Sequence, residues 1–193
     1  MGILRYDSTS TDDPTSTAFA SAATDDCDDE DMSLLVPYLA IAASDTYEEE
    51  DDFAVAITAT GNGVLWEMGS NSFVNQWDYP TVLQAYEGND TWGDAQRVYE
   101  LPDANVWVYF VIQTTNNQPH PMHLHGHDFW VLGQGTGTYD STTASLTLTN
   151  APRRDVVQLP GAGYVVIAFY TDNPGVSCPI SLEYFLLMVS RLG

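Results

Sequence analysis

Tyr164-Val165-Val166-Ile167-Ala168-Phe169-Tyr170 is a run with almost no polar member, and it reads as a central strand buried on both sides or nearly so. The same kind of signal recurs on either side of it. Val106 to Gln113 is dense in β-branched and aromatic residues, the composition of a strand. Phe129-Trp130-Val131-Leu132 reads as another strand, ended by Gly133 and Gly135, and Ser145 to Thr149 and Asp155 to Gln158 read as two more. Earlier in the chain, Phe53, Val55 and Ile57 alternate with smaller residues as a half-buried strand does. Gly61-Asn62-Gly63 then marks a turn before the short strand Val64 to Met68. Pro80-Thr81-Val82-Leu83 starts a further short element, and Gly88 to Gly93 interrupts the pattern. Many short strands punctuated by Gly, Pro and Asn predict an all-β sandwich or barrel. No helix-sized periodic segment and no phosphate-cradling glycine motif lies among them, which argues against a βαβ nucleotide fold.

The 193 residues suffice for one domain of ordinary size, and a hydrophobic fraction of 44% suffices for its core. A formal net charge of -22 excludes a basic nucleic-acid face and discourages contact with anionic membranes. The charge is uneven: residues 1–60 hold 15 of the 27 acidic side chains, chiefly at Asp25-Asp26, Asp28 to Asp31 and Glu48 to Asp52. Such blocks repel and stay solvated, so residues 1–52 read as an acidic leader of low order. Residues 1–30 are expected to be disordered, whereas 32–43 are compatible with either a short helix or a strand. No EF-hand spacing accompanies the acid runs.

Met1-Gly2-Ile3-Leu4-Arg5 leads into polar residues and does not read as a secretory signal. No 18-residue apolar stretch is available to span a membrane. Cys27 and Cys178 form no CxxC motif; they read as unrelated cysteines, with pairing left open. Asn89-Asp90-Thr91 matches the acceptor pattern for N-linked sugar, which matters only in a secreted chain.

The chemistry concentrates in one place. All four histidines fall within His120-Pro121-Met122-His123-Leu124-His125-Gly126-His127. Neutral imidazole is a good ligand for copper, zinc, iron or nickel. On an extended strand, residues two apart share a face, about 6.6–6.8 Å apart at Cα. His123, His125 and His127 are therefore expected on one side, with His123 and His125 reaching toward neighbouring metal ions. His120 has the opposite parity, and Pro121 favours an extended backbone there, which suits it to a different site. A structural zinc site is the sharper rival, but it requires four convergent ligands, and this segment does not aim all its histidines at one centre. Met122 reads as core packing. Arg153, Arg154 and Asp155 read as a structural, salt-bridged turn, and Asp155 is not assigned a catalytic role.

His120-Pro121-x-His123-Leu124-His125-Gly126-His127 resembles the HPxHLHGH copper-binding motif of multicopper oxidases. Its surroundings resemble laccases of the ascomycete type: Asp128-Phe129-Trp130-Val131, Asn150-Ala151-Pro152-Arg153-Arg154-Asp155-Val156, Leu159-Pro160-Gly161-x-Gly163-Tyr164 and Ala168-Phe169-x-x-Asp172-Asn173-Pro174-Gly175. The resemblance spans residues 53–176 and implies a C-terminal, plastocyanin-like domain of cupredoxin-like Greek-key fold. It implies that His120 binds a type 1 copper, His123 the type 2 copper and His125 one type 3 copper of a trinuclear cluster. His127 is implied to be no direct ligand; it is assigned a packing role or one of orienting its neighbours through a ring N–H bond. The implied reaction is oxidation of phenolic small molecules coupled to reduction of dioxygen to water, in an extracellular setting.

The resemblance stops after Gly175. Family members continue with a Trp-x-x-His-Cys-His-Ile block that supplies the type 1 cysteine and further imidazoles. Here the chain reads Val176-Ser177-Cys178-Pro179-Ile180-Ser181, and no histidine follows His127. Residues 177–193 are accordingly read as a divergent tail, such as a shifted frame or retained intron produces; Leu182 to Val189 within it is apolar enough for a final strand. The HWHG-like and HSH-like motifs of the N-terminal cupredoxin domains are also absent from these residues. The expectation is a partial C-terminal domain of a copper-dependent oxidoreductase, inactive alone. The alternative is a non-catalytic copper- or zinc-binding cupredoxin-like module.

Overall fold

The structure, a computed structural model, describes residues 5, 7, 9–13, 15–17, 31–47, 49–61, 63–69, 72–101, 103–173, 175–177, 179–181, 184–185 and 187–190. The expectation of disorder over residues 1–30 therefore falls mostly outside the described residues, as do Cys27 and Cys178 and their pairing. The chain divides into two compact units, residues 1–31 and 32–193. In the first, Arg5 forms an ion pair with Asp13 at 3.2 Å, and Thr9 donates to the Asp7 carboxylate from both its backbone and its hydroxyl. No helix among the described residues is long and apolar enough to cross a membrane.

The second unit is built on strands. The first six are β1 (Glu49–Thr60), β2 (Gly63–Met68), β3 (Val98–Leu101), β4 (Trp107–Thr114), β5 (His120–Leu124) and β6 (Phe129–Thr136). They are followed by β7 (Arg153–Arg154), β8 (Val156–Leu159), β9 (Gly163–Tyr170), β10 (Gly175–Ser177), β11 (Pro179–Ser181), β12 (Tyr184–Phe185) and β13 (Leu187–Ser190). One six-residue helix, α1 (Thr81–Tyr86), begins at Pro80, where the short element starting at that proline was expected. Six strands form one sheet in the order β2-β1-β4-β9-β6-β7, with β1 parallel to β4 and the other pairs antiparallel. A second sheet runs β12-β11-β5-β8 and a third β10-β13-β3.

The apolar run at 164–170 is β9, the strand between β4 and β6, as its composition requires. Alternation explains why nearly every residue in it is apolar. Val165, Ile167 and Phe169 enter one core with Val108, Phe110 and Ile112 of β4 and with Met122, Leu124, Val157 and Leu159 of β5 and β8. Val166 and Ala168 enter a second core with Tyr109, Val111, Trp130 and Leu132. A sheet buried on both faces has no polar side left to write into the sequence. The all-β sandwich reading holds: the six-stranded sheet forms one layer, and the sheet carrying β5 and β8 packs on its inner face.

The outer face is covered by irregular backbone. Ala43 is buried there, its N–H donating to the Leu148 carbonyl at 2.9 Å. Trp130 Nε1 donates to the Ile41 carbonyl at 2.7 Å, and the Tyr109 hydroxyl donates to that of Ser44. The Tyr47 ring stacks on Tyr109 with centroids 4.3 Å apart. Residues 41–47 thus form a strap fastened through side-chain donors of the sheet, and β1 itself starts at Glu49 rather than near Phe53.

Two sequence expectations fail locally. Residues 145–149 form no strand; Thr147 N–H bonds the Leu132 carbonyl at 2.8 Å, but no ladder follows. Strand β6 does not stop at its glycines. It shifts register against β9 between Val131 and Gly133 and continues to Thr136, and a Cβ on Gly135 would lie 2.9 Å from the Tyr164 hydroxyl. These glycines make room for neighbours rather than ending the strand.

Candidate metal centre

Strand β5 presents the histidine segment. It is held between β8, through His120↔Leu159 and His123↔Val156, and β11, through Ile180↔His123. Its entry is fixed by a close approach of two loops. A Cβ on Gly161 would lie 2.2 Å from the Asn117 carbonyl oxygen, and Ala162 N–H donates to the Asn116 carbonyl at 2.6 Å. Only glycine permits that contact.

Within β5 alternation places His120 on the side of Met122 and Leu124, both buried, and His123 on the opposite side. Met122 is 3% exposed and belongs to the core. The His120 ring meets the Trp66 ring of β2 edge-on, centroids 4.7 Å apart. His120 is therefore separated from His123 across the strand, as its parity predicts.

His123 and His125 come together, ring centroids 5.0 Å apart and planes at 70°. His123 Nδ1 lies 2.5 Å from the Asp155 carbonyl oxygen. A carbonyl only accepts, so Nδ1 carries the proton and the Nε2 lone pair is left to a ligand. This is the arrangement in which a backbone acceptor fixes the tautomer of a metal-binding imidazole.

His127 departs from the alternation argument. Strand β5 ends at Leu124; His125 and Gly126 form a turn, with Gly126 at φ +76. Beyond that turn His127 packs on Phe169, centroids 5.3 Å apart. Both its ring nitrogens are buried without a hydrogen-bond partner among the described residues.

Three contacts that sequence reasoning did not assign hold this turn. Asn173 Nδ2 donates to the Gly126 carbonyl at 2.8 Å. Asp128 forms an ion pair with Arg153, and the Arg153 guanidinium lies 4.4 Å from the Trp130 ring centroid. The third is the Asp155 carbonyl on His123 described above. Asn173, Arg153 and Asp155 all lie in the blocks quoted above, so their neighbourhood was marked although their contacts were not. The local salt-bridged turn expected at 153–155 is not what forms: Arg153 and Arg154 are strand β7, Asp155 is a bend after it, and Arg153 pairs with Asp128.

Arg153 and Asp128 side chains are 31% and 54% exposed, so their ion pair contributes little alone, under about 1 kcal/mol. Arg153→Met removes the ion pair and the cation–π contact together and is expected to cost about 1–2 kcal/mol. Asp128→Asn removes only the ion pair. Urea unfolding of both variants checks this: equal costs would show that the Trp130 contact adds nothing.

Among the described residues no three His, Cys, Asp or Glu side chains converge as a complete metal site. The donor set still fits copper in part: two borderline imidazoles side by side, one with its tautomer fixed, and a third imidazole across the strand.

The profile of the family described as multicopper oxidase matches residues 58–178. Laccase-1 of Botryotinia fuckeliana is 42% identical over 178 residues, 90% of this chain and 30% of that protein. Laccase-2 of the same organism is 41% identical over 181 residues, with the same coverage of each. The chain thus spans 30% of the length of these curated relatives. Among solved structures, the laccase of Botrytis aclada superposes with a TM-score of 0.78 at 35% identity, covering 97% of this chain and 36% of that one. The multicopper oxidase Fet3p superposes with a TM-score of 0.74 at 18% identity, a likeness of fold alone.

Proposed function

The chain belongs to the multicopper oxidase family, and from that premise we propose that it is the C-terminal cupredoxin-like part of a copper-dependent oxidoreductase of laccase type, acting in an extracellular setting. The observation that carries the reading is the pairing of His123 and His125 at 5.0 Å with His123 Nδ1 tied to the Asp155 carbonyl. In this reading His123 offers Nε2 to the type 2 copper, His125 offers its ring to a type 3 copper, and His120 belongs to the type 1 centre. Bound copper supplies one-electron chemistry: four one-electron oxidations of phenolic substrate matched by reduction of dioxygen to water.

The residues themselves bind and orient. The Asp155 carbonyl holds the proton on Nδ1, the Asn173 amide holds the carbonyl of the turn carrying His125, and Trp66 walls one side of His120. The remaining ligands come from N-terminal cupredoxin domains and from a His-Cys-His block, neither present in these residues. The tail from 177 to 193 is proposed to be a divergent product of the transcript. An intact, abundant message encoding this tail would count against that.

Two measurements test the function. The chain alone, loaded with Cu²⁺, is expected to show no phenol turnover and no intense blue absorption; robust turnover would overturn the partial-domain reading. A chimera in which residues 53–175 replace the matching stretch of a related laccase, with its own His-Cys-His block downstream, is expected to hold copper and oxidise phenols. A folded chimera that holds copper at none of the three histidines would instead favour the non-catalytic module.

A further inference from the structure

The excursion between β2 and β3 carries chemistry that the copper reading does not use. Asn89-Asp90-Thr91 is the only Asn-x-Ser/Thr sequence in the 193 residues. It sits directly after α1, where Gly88 at φ +86 reverses the chain and brings Asn89 N–H back to the Gln84 carbonyl at 2.9 Å. Three residues before Asn89, at the end of that helix, the Tyr86 side chain is 88% exposed. A large aromatic ring standing in water beside a sugar-acceptor sequence has an obvious occupant, because the C–H face of a pyranose packs on aromatic rings as apolar surface does.

We propose that Asn89 is an acceptor for an N-linked oligosaccharide and that the Tyr86 ring is the platform on which its first sugar rests. The step rests on the extracellular setting proposed above and not on copper. Asn89 Nδ2 attacks C1 of a sugar carried on a lipid diphosphate. The N–C1 bond forms as the C1–O bond to the diphosphate breaks, the lipid diphosphate departs, and one amide proton passes to solvent. No electrons change hands.

The hydrogen bonding of the folded loop accommodates the product. Nδ2 carries two protons: one donates to the Thr91 carbonyl on the exposed side at 2.9 Å, the other to Gln84 Oε1 on the part-buried side at 3.2 Å. Substitution replaces the outer proton, whose acceptor is open to water. The inner bond survives, and Gln84 Oε1 also accepts from Gln96 Nε2 at 2.8 Å. Asn89 Oδ1 keeps the Thr91 N–H at 3.2 Å, so the side chain remains oriented with the new bond facing outward. No buried group loses its partner.

The test directs the full chain into the secretory pathway of a fungal or yeast host behind a secretion leader. The peptide spanning Asn89 is read by mass spectrometry, in both the secreted and the luminal pools, before and after peptide N-glycosidase. The expected result is a sugar-bearing peptide that the enzyme converts to aspartate at that position. Asn89→Gln and Thr91→Ala abolish the modification, and Thr91→Ser retains it. An unmodified Asn89 peptide in both pools overturns the proposal and leaves the copper reading untouched. For the platform, Tyr86→Ala is expected to lower Tm by about 2–4 °C in the glycosylated chain and to leave the enzymatically deglycosylated chain unchanged. An equal loss in both forms overturns the role of Tyr86.

Discussion

Phe169→Ala is expected to cost the domain about 3–5 kcal/mol, the range for emptying a fully buried aromatic position. The side chain is 0% exposed. It lies on β9, the strand on which both neighbours of the sheet depend, and its ring meets Phe110 with centroids 5.1 Å apart and His127 at 5.3 Å. Rigid sheets on both sides cannot close the space left by a ring. Against a typical domain stability of about 5–15 kcal/mol, such a loss leaves a marginal fold. The check is a urea midpoint shifted strongly at unchanged slope. Val156→Ala, on the solvent face of β8 at 44% exposure, serves as the comparison and should stay within about 0.5 kcal/mol. A cost under 1 kcal/mol for Phe169→Ala, by the same rule for surface sites, would show that the inner core is not packed as described.

The second large effect is on metal affinity. His123→Ala and His125→Ala should each weaken Cu²⁺ binding by more than the roughly 10–100-fold that loss of an outer-shell partner costs, because each removes a donor atom outright. His127→Gln should change affinity little, since its ring packs against Phe169. Titration calorimetry with the nitrogen hyperfine pattern of the Cu²⁺ EPR spectrum separates the cases. If His127→Gln weakens binding as much as His123→Ala, the assignment of the pair fails.

How far the fold and site were legible depends on where the physics is local. β9 and β4 were readable because both faces of those strands are buried, so the apolar pattern is continuous. The split between His120 and His123 was readable because strand parity is a local property. The parity argument does not reach His127, because it assumed that the strand ran on past Leu124. The turn at Gly126 requires a positive φ, which glycine permits but does not announce. Residues 145–149 have strand-like composition without a strand partner, and pairing is a property of two segments rather than one. The strap at 41–47 left no period to read, because its contacts are backbone acceptors for Trp130 and Tyr109 far along the chain. The contacts of Asn173 and Arg153 are long-range in the same way.

The parallel pairing of β1 with β4 has a consequence for synthesis. β1 leaves the ribosome first, yet its partner across Val55 is Thr114. At about 5–20 residues per second, the strand waits several seconds with one edge bare. The hairpin with β2 covers only the edge that Val55 to Thr60 share with Gly63 to Met68. A waiting edge is an invitation to join the same strand of another nascent copy. Four carboxylates open this one, Glu49-Glu50-Asp51-Asp52, and two such strands laid side by side would repel. Like charge in that sequence block disfavours such pairing between nascent copies until β4 arrives.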